Sequence, residues 1–214
     1  MRAILYDYWR SSAAYRLRIA LGLAGIEFES RQVDLLSGEH KGEQYLDHNP
    51  QGLVPTLYLD GRKFSQSLAA IEFMNDTGLA KFLPEDPSER ARVRTISYAV
   101  AMEIHPVCNL SVSLRAAKLA NRDDADVEWM RHFMSVGFDG VERLLRSFET
   151  RHYCHGDSPT MADICLLPQV YNARRRGVPV RRYKQIASIA ARLQRLDAFA
   201  EAHPDNFKPG ADND

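Results

Sequence analysis

The feature that most constrains the fold is an abrupt change of pattern within the first 21 residues. A short apolar strand ends near Tyr6, hydroxyl residues follow at Ser11 and Ser12, and an amphipathic run continues to Leu21. A strand that leads directly into a helix indicates an α/β unit, and the hydroxyl residues mark the start of that helix. The first amides of such a helix lack intrahelical partners and lie at the positive end of its dipole. This corner therefore predicts an anion site, and a thiolate is one candidate.

The first 80 residues alternate between strand and helix patterns. The predicted elements are strands 2–6 and 27–33, helices 12–25, 40–47 and 66–77, and a hairpin of strands 54–59 and 62–64. The dipeptide Asp60-Gly61 supplies the tight turn of the hairpin. The resulting order, β-α-β-α-β-β-α, is typical of a thioredoxin-like domain.

A second, all-helical region follows a short linker. Residues 83–87 hold two prolines and two acidic residues without periodicity, so we predict a linker between domains at 1–82 and 88–214. A helix is expected to start after a Ser88 cap, and the tail from Pro204 is expected to fray.

Two further patterns belong to the helical region. Apolar residues recur at helical spacing from Val127 to Phe148, which predicts a long helix with one buried face. Thr160 and Asp163 have the spacing of a capping box, and we interpret them as structural.

Composition excludes several classes of protein. The chain has 28 basic and 28 acidic residues, so neither nucleic acid nor an anionic membrane is expected as the main partner. The sequence has no apolar run near 18 residues and opens without a basic-then-apolar run, so neither a membrane span nor a leader is expected. The three cysteines are irregularly spaced, which predicts neither a disulfide framework nor a metal site. A reduced cytoplasmic setting is the simplest expectation.

Five motifs occur in an order that is similar to one family over nearly the whole chain. They are Ser11-Ser12, the run 49–57 with Val54-Pro55, the run 66–72 beginning Gln66-Ser67, the pair His105-Pro106 with Asn109-Leu110-Ser111, and the late helix 161–170. Together they resemble the zeta-class glutathione transferases, the class that includes maleylacetoacetate isomerase. Ala13 stands where many members have Cys, and the segment 174–184 departs from the usual pattern, with Arg176 in place of Phe.

The resemblance implies a fold, a cofactor and a reaction. It implies a thioredoxin-like α/β domain followed by an all-α domain, a homodimer, no metal, and glutathione as cofactor. The expected activity is cis–trans isomerisation of the dicarboxylate maleylacetoacetate to fumarylacetoacetate in tyrosine breakdown. Maleylpyruvate isomerisation, a broader transferase activity and a non-catalytic protein-binding module remain alternatives. Relatives that act on maleylpyruvate have arginines where Leu110 and Ser111 stand, which favours maleylacetoacetate.

Ser11 is the first candidate to donate a hydrogen bond to the glutathione thiolate, with Ser12 assisting or replacing it. A thiol with a pKa of about 8.5 is only about 3% ionised at pH 7, and lowering it by ~2 units takes about 2.7 kcal/mol. One charge-assisted hydrogen bond, about 1.5–3 kcal/mol, supplies much of that. The alternative is that both serines only cap the first helix.

Other glutathione contacts follow from the resemblance. A cis peptide at Val54-Pro55 would let the backbone of Val54 pair with the cysteinyl unit, whereas an ordinary edge-strand proline is the alternative. Gln66 and Ser67 are expected to bind the γ-glutamyl carboxylate, or else merely to cap a helix. His40 is a further expected glutathione contact, or else a surface histidine.

The substrate side depends on residues from both halves of the sequence. Arg10 and Arg175 match arginines near the acidic-substrate pocket of the family, and a guanidinium pairs with a carboxylate through two hydrogen bonds; the alternative is that both are solvated surface arginines. His105 is expected to polarise or protonate an enol oxygen, since imidazole titrates near neutral pH, or else to be a structural histidine. Asn109 and Ser111 are expected to hydrogen-bond glutathione or substrate.

Overall fold

The computed structural model describes residues 1–148 and 150–210, which form two compact units. One unit contains residues 1–82 together with the C-terminal segment that starts at Arg195, and the other spans Leu83–Gln194. The predicted domains 1–82 and 88–214 differ from this division at the C-terminal end, where the last segment packs with the first unit.

The first unit is built on a four-stranded mixed sheet. Its strands are β1 (Ala3–Asp7), β2 (Phe28–Gln32), β3 (Thr56–Leu59) and β4 (Arg62–Phe64), in the spatial order β2-β1-β3-β4. β1 pairs with β2 in parallel, and the pairs β1/β3 and β3/β4 are antiparallel. Asp60 and Gly61 join β3 to β4 with φ of 47° and 79°, the left-handed backbone that a two-residue hairpin turn requires. The predicted thioredoxin-like order is confirmed.

The helices of the first unit begin where the hydroxyl and turn residues predicted. They are α1 (Ser12–Leu23), α2 (Glu43–Leu46) and α3 (Ser67–Asp76), with a 3₁₀ turn at Glu39–Lys41 before α2. Gly42 separates that turn from α2, so the predicted single helix at 40–47 is two short pieces. Residues 14–21 of α1 are all buried, which makes α1 the central helix of this unit.

The C-terminal segment completes the first unit. It forms a short helix at Asp197–Glu201 and a 3₁₀ turn at Pro204–Phe207. The Tyr15 hydroxyl donates to the carbonyl of Phe199 over 3.3 Å, and the ring of Phe207 stacks on Phe28 with centroids 6.1 Å apart. The expectation of a frayed tail from Pro204 is therefore wrong for Pro204–Phe207, and residues 211–214 lie outside the described residues.

The second unit is helical among the residues described. It contains α4 (Pro87–Tyr98), a π-helical segment (Ala99–Ile104), α5 (His105–Val107), α6 (Leu110–Ala120), α7 (Ala125–Ser147), α8 (Met161–Arg175), a 3₁₀ turn (Val180–Arg182) and α9 (Lys184–Leu193). Asp86, not Ser88, caps α4, because its carboxylate accepts from the amides of Ser88 and Glu89 and Pro87 occupies the first turn.

The capping box at the start of α8 has a structural role. Asp163 is fully buried, and its carboxylate accepts from the amide of Thr160 over 2.8 Å and from the amide of Cys154 over 2.9 Å. These contacts tie the loop before α8 to the helix, which fits the interpretation of Thr160 and Asp163 as structural. None of the helices described is both long enough and apolar enough to cross a membrane.

Candidate functional site

The corner between β1 and α1 presents Ser11 at the N-terminus of a buried helix. Ser11 is the N-cap, with φ −67° and ψ 120°, and its Oγ accepts from the amide of Ala14 over 3.2 Å. The capping role is therefore real, but a hydroxyl accepts through a lone pair and still carries a proton to donate. Ser12 is the first helical residue and is buried, whereas Ser11 is partly exposed. Capping and thiolate binding by Ser11 are thus compatible.

A buried ion pair fixes this corner, and the sequence analysis did not identify it. Arg18 of α1 lies 2.7 Å from the Asp7 carboxylate of β1, and both side chains have no exposed surface. The Arg18 guanidinium also donates to the carbonyls of Trp9, over 3.0 Å, and Ala202, over 3.1 Å. Arg18 therefore ties the loop that carries Ser11 to the strand before it and to the C-terminal segment.

Asp7 has an unusual electrostatic environment. Burial raises the pKa of its carboxyl, and the charge and hydrogen bonds of Arg18 oppose that rise. Asp7 also accepts a longer hydrogen bond, 3.4 Å, from the hydroxyl of Ser30. The only signals in the sequence were an acidic residue at the end of an apolar strand and an arginine on the apolar face of α1.

The loop before β3 lies at the same end of the sheet as the β1–α1 corner. The Val54-Pro55 peptide is cis, as the family resemblance implied. Tyr6, near the end of β1, pairs with Thr56 at the start of β3. The end of β1 and the start of β3 therefore lie side by side at the same end of the sheet. The ladder between these strands starts at Thr56, and the backbone groups of Val54 lie outside it.

The N-terminus of α3 adjoins α1. Ser67 is buried, and its Oγ accepts from the guanidinium of Arg16 on α1 over 3.4 Å. Gln66 is the N-cap residue by position, but its side chain makes no capping hydrogen bond and instead donates to the amide oxygen of Gln51 over 2.9 Å. The simple helix-cap interpretation of Gln66 therefore does not describe its side chain, which faces the loop that leads to Val54.

His40 lies against the same loop. A Cβ at Gly52, where φ is 59°, would lie 2.9 Å from the carbonyl oxygen of His40, so only glycine fits there. The Nδ1 atom of His40 is buried and has no hydrogen-bond partner among the described residues. Burial, followed by the charge of Lys41, lowers the pKa of His40. A buried ring nitrogen without a partner is the kind of group that a ligand satisfies.

Arg10 follows the end of β1 and is partly exposed. Its guanidinium lies 4.5 Å from the centroid of the Trp9 ring, and it donates to the Tyr8 hydroxyl over 3.2 Å. Stacking on Trp9 restricts the side chain, and neither the Trp9 nor the Tyr8 contact neutralises its charge. Arg10 is thus placed near Ser11 with a charged group available to an anion.

In the second unit, His105 and Asn109 lie on one short stretch of chain. His105 ends the π-helical segment, and its amide donates to the carbonyl of Val100. Asn109 caps α6 by accepting from the amide of Ser111 over 3.4 Å. Ser111 is exposed, and its amide makes that contact. The sequence analysis did not predict a π-helical segment, although Pro106 removes the amide that a regular helix would use.

Arg175 ends α8 on an exposed surface. Its guanidinium donates to the side-chain oxygen of Asn172 over 3.4 Å and lies 5.9 Å from the centroid of the Tyr171 ring. Its neighbour Arg176, at a position where the family usually has Phe, is mostly buried and lies 3.6 Å from the carboxylate of Asp126. The atypical segment thus places one arginine toward solvent and the next in an ion pair.

An open groove of about 810 Å³ lies between α6 and α7, and the aromatic residues Trp129 and Phe133 line it. The predicted site residues of this unit, His105, Asn109, Ser111 and Arg175, do not line this groove. Among the residues that the structure describes, no group of three His, Cys, Asp or Glu side chains is arranged to hold a metal ion.

Sequence comparison finds relatives that match nearly the whole chain. The family described as glutathione S-transferase, N-terminal domain, matches residues 10–77. A curated protein of Rhizobium meliloti named maleylacetoacetate isomerase is 51% identical over 211 residues, which cover 96% of this chain and 98% of that protein.

Solved structures agree with the sequence comparison. The chain is similar to the holo structure of a bacterial maleylpyruvate isomerase, described as a zeta-class glutathione S-transferase, at 38% identity and a TM-score of 0.92 over 97% of this chain and 99% of that one. It is also similar to a maleylacetoacetate isomerase from Methylobacterium extorquens AM1 with bound malonate and glutathione, at 34% identity and a TM-score of 0.91, with the same two coverages.

Proposed function

Since the chain belongs to the zeta-class glutathione transferase and maleylacetoacetate isomerase family, we propose that it isomerises maleylacetoacetate to fumarylacetoacetate with glutathione as cofactor. Bound glutathione supplies a thiol sulfur that adds reversibly to the conjugated double bond of the substrate, so that this bond can rotate. The observation that carries the proposal is the partly exposed Ser11 hydroxyl at the N-terminus of α1. It provides a hydrogen-bond donor at the positive end of a helix dipole.

The residues of the first unit fit the cofactor. The Nδ1 of His40, which has no partner among the described residues, and the backbone groups of Val54, which lie outside the β1–β3 ladder, offer polar contacts to a peptide-like ligand. Gln66 and Ser67, at the N-terminus of α3, are the proposed partners of the γ-glutamyl carboxylate. Ser11 holds the sulfur in its ionised form, with Ser12 as the alternative donor.

The arginines hold the carboxylates of the substrate in this proposal. Arg10, close to Ser11 in sequence and stacked on Trp9, and Arg175 are the proposed partners of the substrate carboxylates. His105 stabilises negative charge that develops on the enol oxygen, and Asn109 and Ser111 add hydrogen bonds to glutathione or substrate. A bound malonate in the relative from Methylobacterium extorquens supports a dicarboxylate as the class of substrate.

Maleylpyruvate is the second candidate substrate, because a maleylpyruvate isomerase is among the similar structures. Both substrates should be assayed by absorbance, each with and without glutathione. Turnover of maleylacetoacetate that requires glutathione is expected. Absence of turnover with either acid would overturn the isomerase proposal, and failure to bind glutathione-agarose would support a non-catalytic binding module instead.

The role of Ser11 has its own test. Ser11→Ala should lower kcat/KM about 10- to 100-fold, which corresponds to one charge-assisted hydrogen bond of about 1.5–3 kcal/mol. Loss of the cap alone would lower stability by about 1 kcal/mol, and Ser11→Gly, which costs only a few tenths, separates capping from catalysis. Ser12→Ala is the matched control. Wild-type turnover in Ser11→Ala with loss of turnover in Ser12→Ala would transfer the role to Ser12.

We also propose that the protein is a cytoplasmic homodimer, as its family resemblance implies. Light scattering coupled to size exclusion should give twice the mass of one chain. The mass of a single chain at assay concentration would contradict the dimer.

A further inference from the structure

The position of His105 depends on the π-helical segment that precedes it. The segment ends with the His105 amide donating to the Val100 carbonyl, one residue farther back than in a regular helix. Pro106 follows directly and has no amide proton to donate. Such π-helical turns are common at functional sites, where they change the direction of a side chain. Whatever fixes this segment therefore fixes where the imidazole lies.

Helix α7 packs against the segment at a glycine. A Cβ at Gly137 would lie 2.3 Å from Cγ1 and 2.5 Å from Cδ1 of Ile104, whereas ordinary contacts are 3.4–4 Å. Ile104 directly precedes His105 and is only 2% exposed, so its side chain has little room to turn away. Glycine is unfavourable inside a helix, and its presence at this close approach has a packing reason.

Two more contacts hold the same stretch of chain to α7. The indole of Trp129 donates to the carbonyl of Val107 over 2.8 Å, and the thiol of Cys108 lies 3.8 Å from the carbonyl of Met130. The stretch from Ile104 to Cys108 is therefore attached to α7 before and after His105. If Ile104 is displaced, Val107 and Cys108 cannot move with it freely, because they are held to α7 on the other side of His105.

We propose that Gly137 is a positioning residue for the isomerase reaction. The missing side chain lets Ile104 pack against α7, and this contact sets the place of the His105 imidazole. An alanine would have to move Ile104 by about 1 Å to restore ordinary contact. A misplacement of about 1 Å can lower turnover about 100-fold. The inference rests on the function proposed above.

The test compares two glycines on the same helix. At Gly140 a Cβ would meet nothing within 4 Å, so Gly140→Ala is the matched control, and helix propensity changes alike in both variants. We expect Gly137→Ala to lower kcat about 10- to 100-fold while the Kd for glutathione, measured by calorimetry, changes less than about threefold. Gly140→Ala should keep wild-type kcat. Equal effects of the two substitutions, or a wild-type kcat in folded Gly137→Ala, would overturn the proposal.

A second substitution tests the route through Ile104. Ile104→Ala removes the two atoms that would clash with a new Cβ, Cγ1 and Cδ1, and leaves only Cβ, 3.5 Å away, so Gly137→Ala/Ile104→Ala should regain at least about tenfold of the lost kcat. A folded double variant without recovery would overturn the role of Ile104. If Gly137→Ala alone does not fold, the double variant should fold and turn over substrate. A double variant that is also unfolded would contradict the proposal.

The two proposals fail in different ways. If wild-type protein shows no glutathione-dependent isomerisation, the proposed function is wrong. If wild-type protein is active and Gly137→Ala is equally active, only the positioning role is wrong.

Discussion

The buried ion pair between Arg18 and Asp7 gives the sharpest test of how the β1–α1 corner is held. Arg18→Met keeps much of the side-chain volume but leaves the Asp7 carboxylate buried without its cation, and the carbonyls of Trp9 and Ala202 without their donor. Breaking a buried pair by removing one partner costs about 3–5 kcal/mol. For a chain of this size 1 kcal/mol corresponds to about 2–4 °C, so the Tm should fall by about 6–20 °C.

The chain contains a matched control for this substitution. Arg31 and Glu29 also lie 2.7 Å apart, but their side chains are 43% and 51% exposed. Exposed pairs contribute little because water screens them, so Arg31→Met should lose only a small part of what Arg18→Met loses. Thermal unfolding followed by circular dichroism compares the two. If Arg18→Met loses no more stability than Arg31→Met, burial does not decide the strength of this pair.

The loss of folding stability caused by Arg18→Met should also depend on pH. Burial raises the pKa of Asp7 already in the wild type, where Arg18 opposes the rise, and removal of Arg18 raises it further. A carboxyl whose pKa is higher in the folded state than in the unfolded state stabilises the fold at low pH, and this stability is lost as pH rises through the folded-state value. The stability gap between variant and wild type should therefore narrow as pH is lowered from about 7 to about 5. A gap that widens would refute the assignment of the buried charge to Asp7.

Three further outcomes are expected. The thiols of Cys108, Cys154 and Cys165 are buried, and burial raises the pKa of Cys108 to about 11, so a disulfide reagent at pH 7.5 should label none rapidly before unfolding; rapid labelling of native protein would contradict their burial. His40→Ala should raise the Kd for glutathione. In the wild-type protein, NMR should give His40 a pKa below 6.5, because burial lowers it. A normal pKa of His40 together with an unchanged Kd in His40→Ala would remove His40 from the site. Asp163→Ala should lower stability by several kcal/mol, since two buried amides lose their acceptor; urea unfolding measures this, and a loss below about 1 kcal/mol would contradict the structural role of Asp163.

The local patterns of the sequence were sufficient for most of the first unit. The Asp60-Gly61 turn, the serines that start α1 and the glycine that follows it each determine backbone conformation within a few residues. Such signals depend on short-range sterics and capping, which a single sequence displays directly. The same is true of the capping box at Thr160 and Asp163.

Features that depend on distant contacts were not predicted. Nothing near Arg18 in sequence shows that a carbonyl at position 202 will accept its proton, and nothing near Pro204 shows that Phe207 will stack on Phe28. The π-helical turn before His105 packs at Ile104 against Gly137, which lies 32 positions downstream of His105. Candidate residues came from motifs, but the contacts that position those residues come from tertiary packing.

The return of the C-terminal segment to the first unit has a consequence for biosynthesis. A nascent chain emerges with its N-terminus first, and domains generally fold as units while synthesis continues. Here one of the acceptors of the Arg18 guanidinium, the carbonyl of Ala202, is available only after residue 202 has left the ribosome, so the first unit can be completed only after residues 83–194 have been synthesised. The helical unit, Leu83–Gln194, can fold before that point. The unit whose synthesis starts first is therefore the second of the two to be complete.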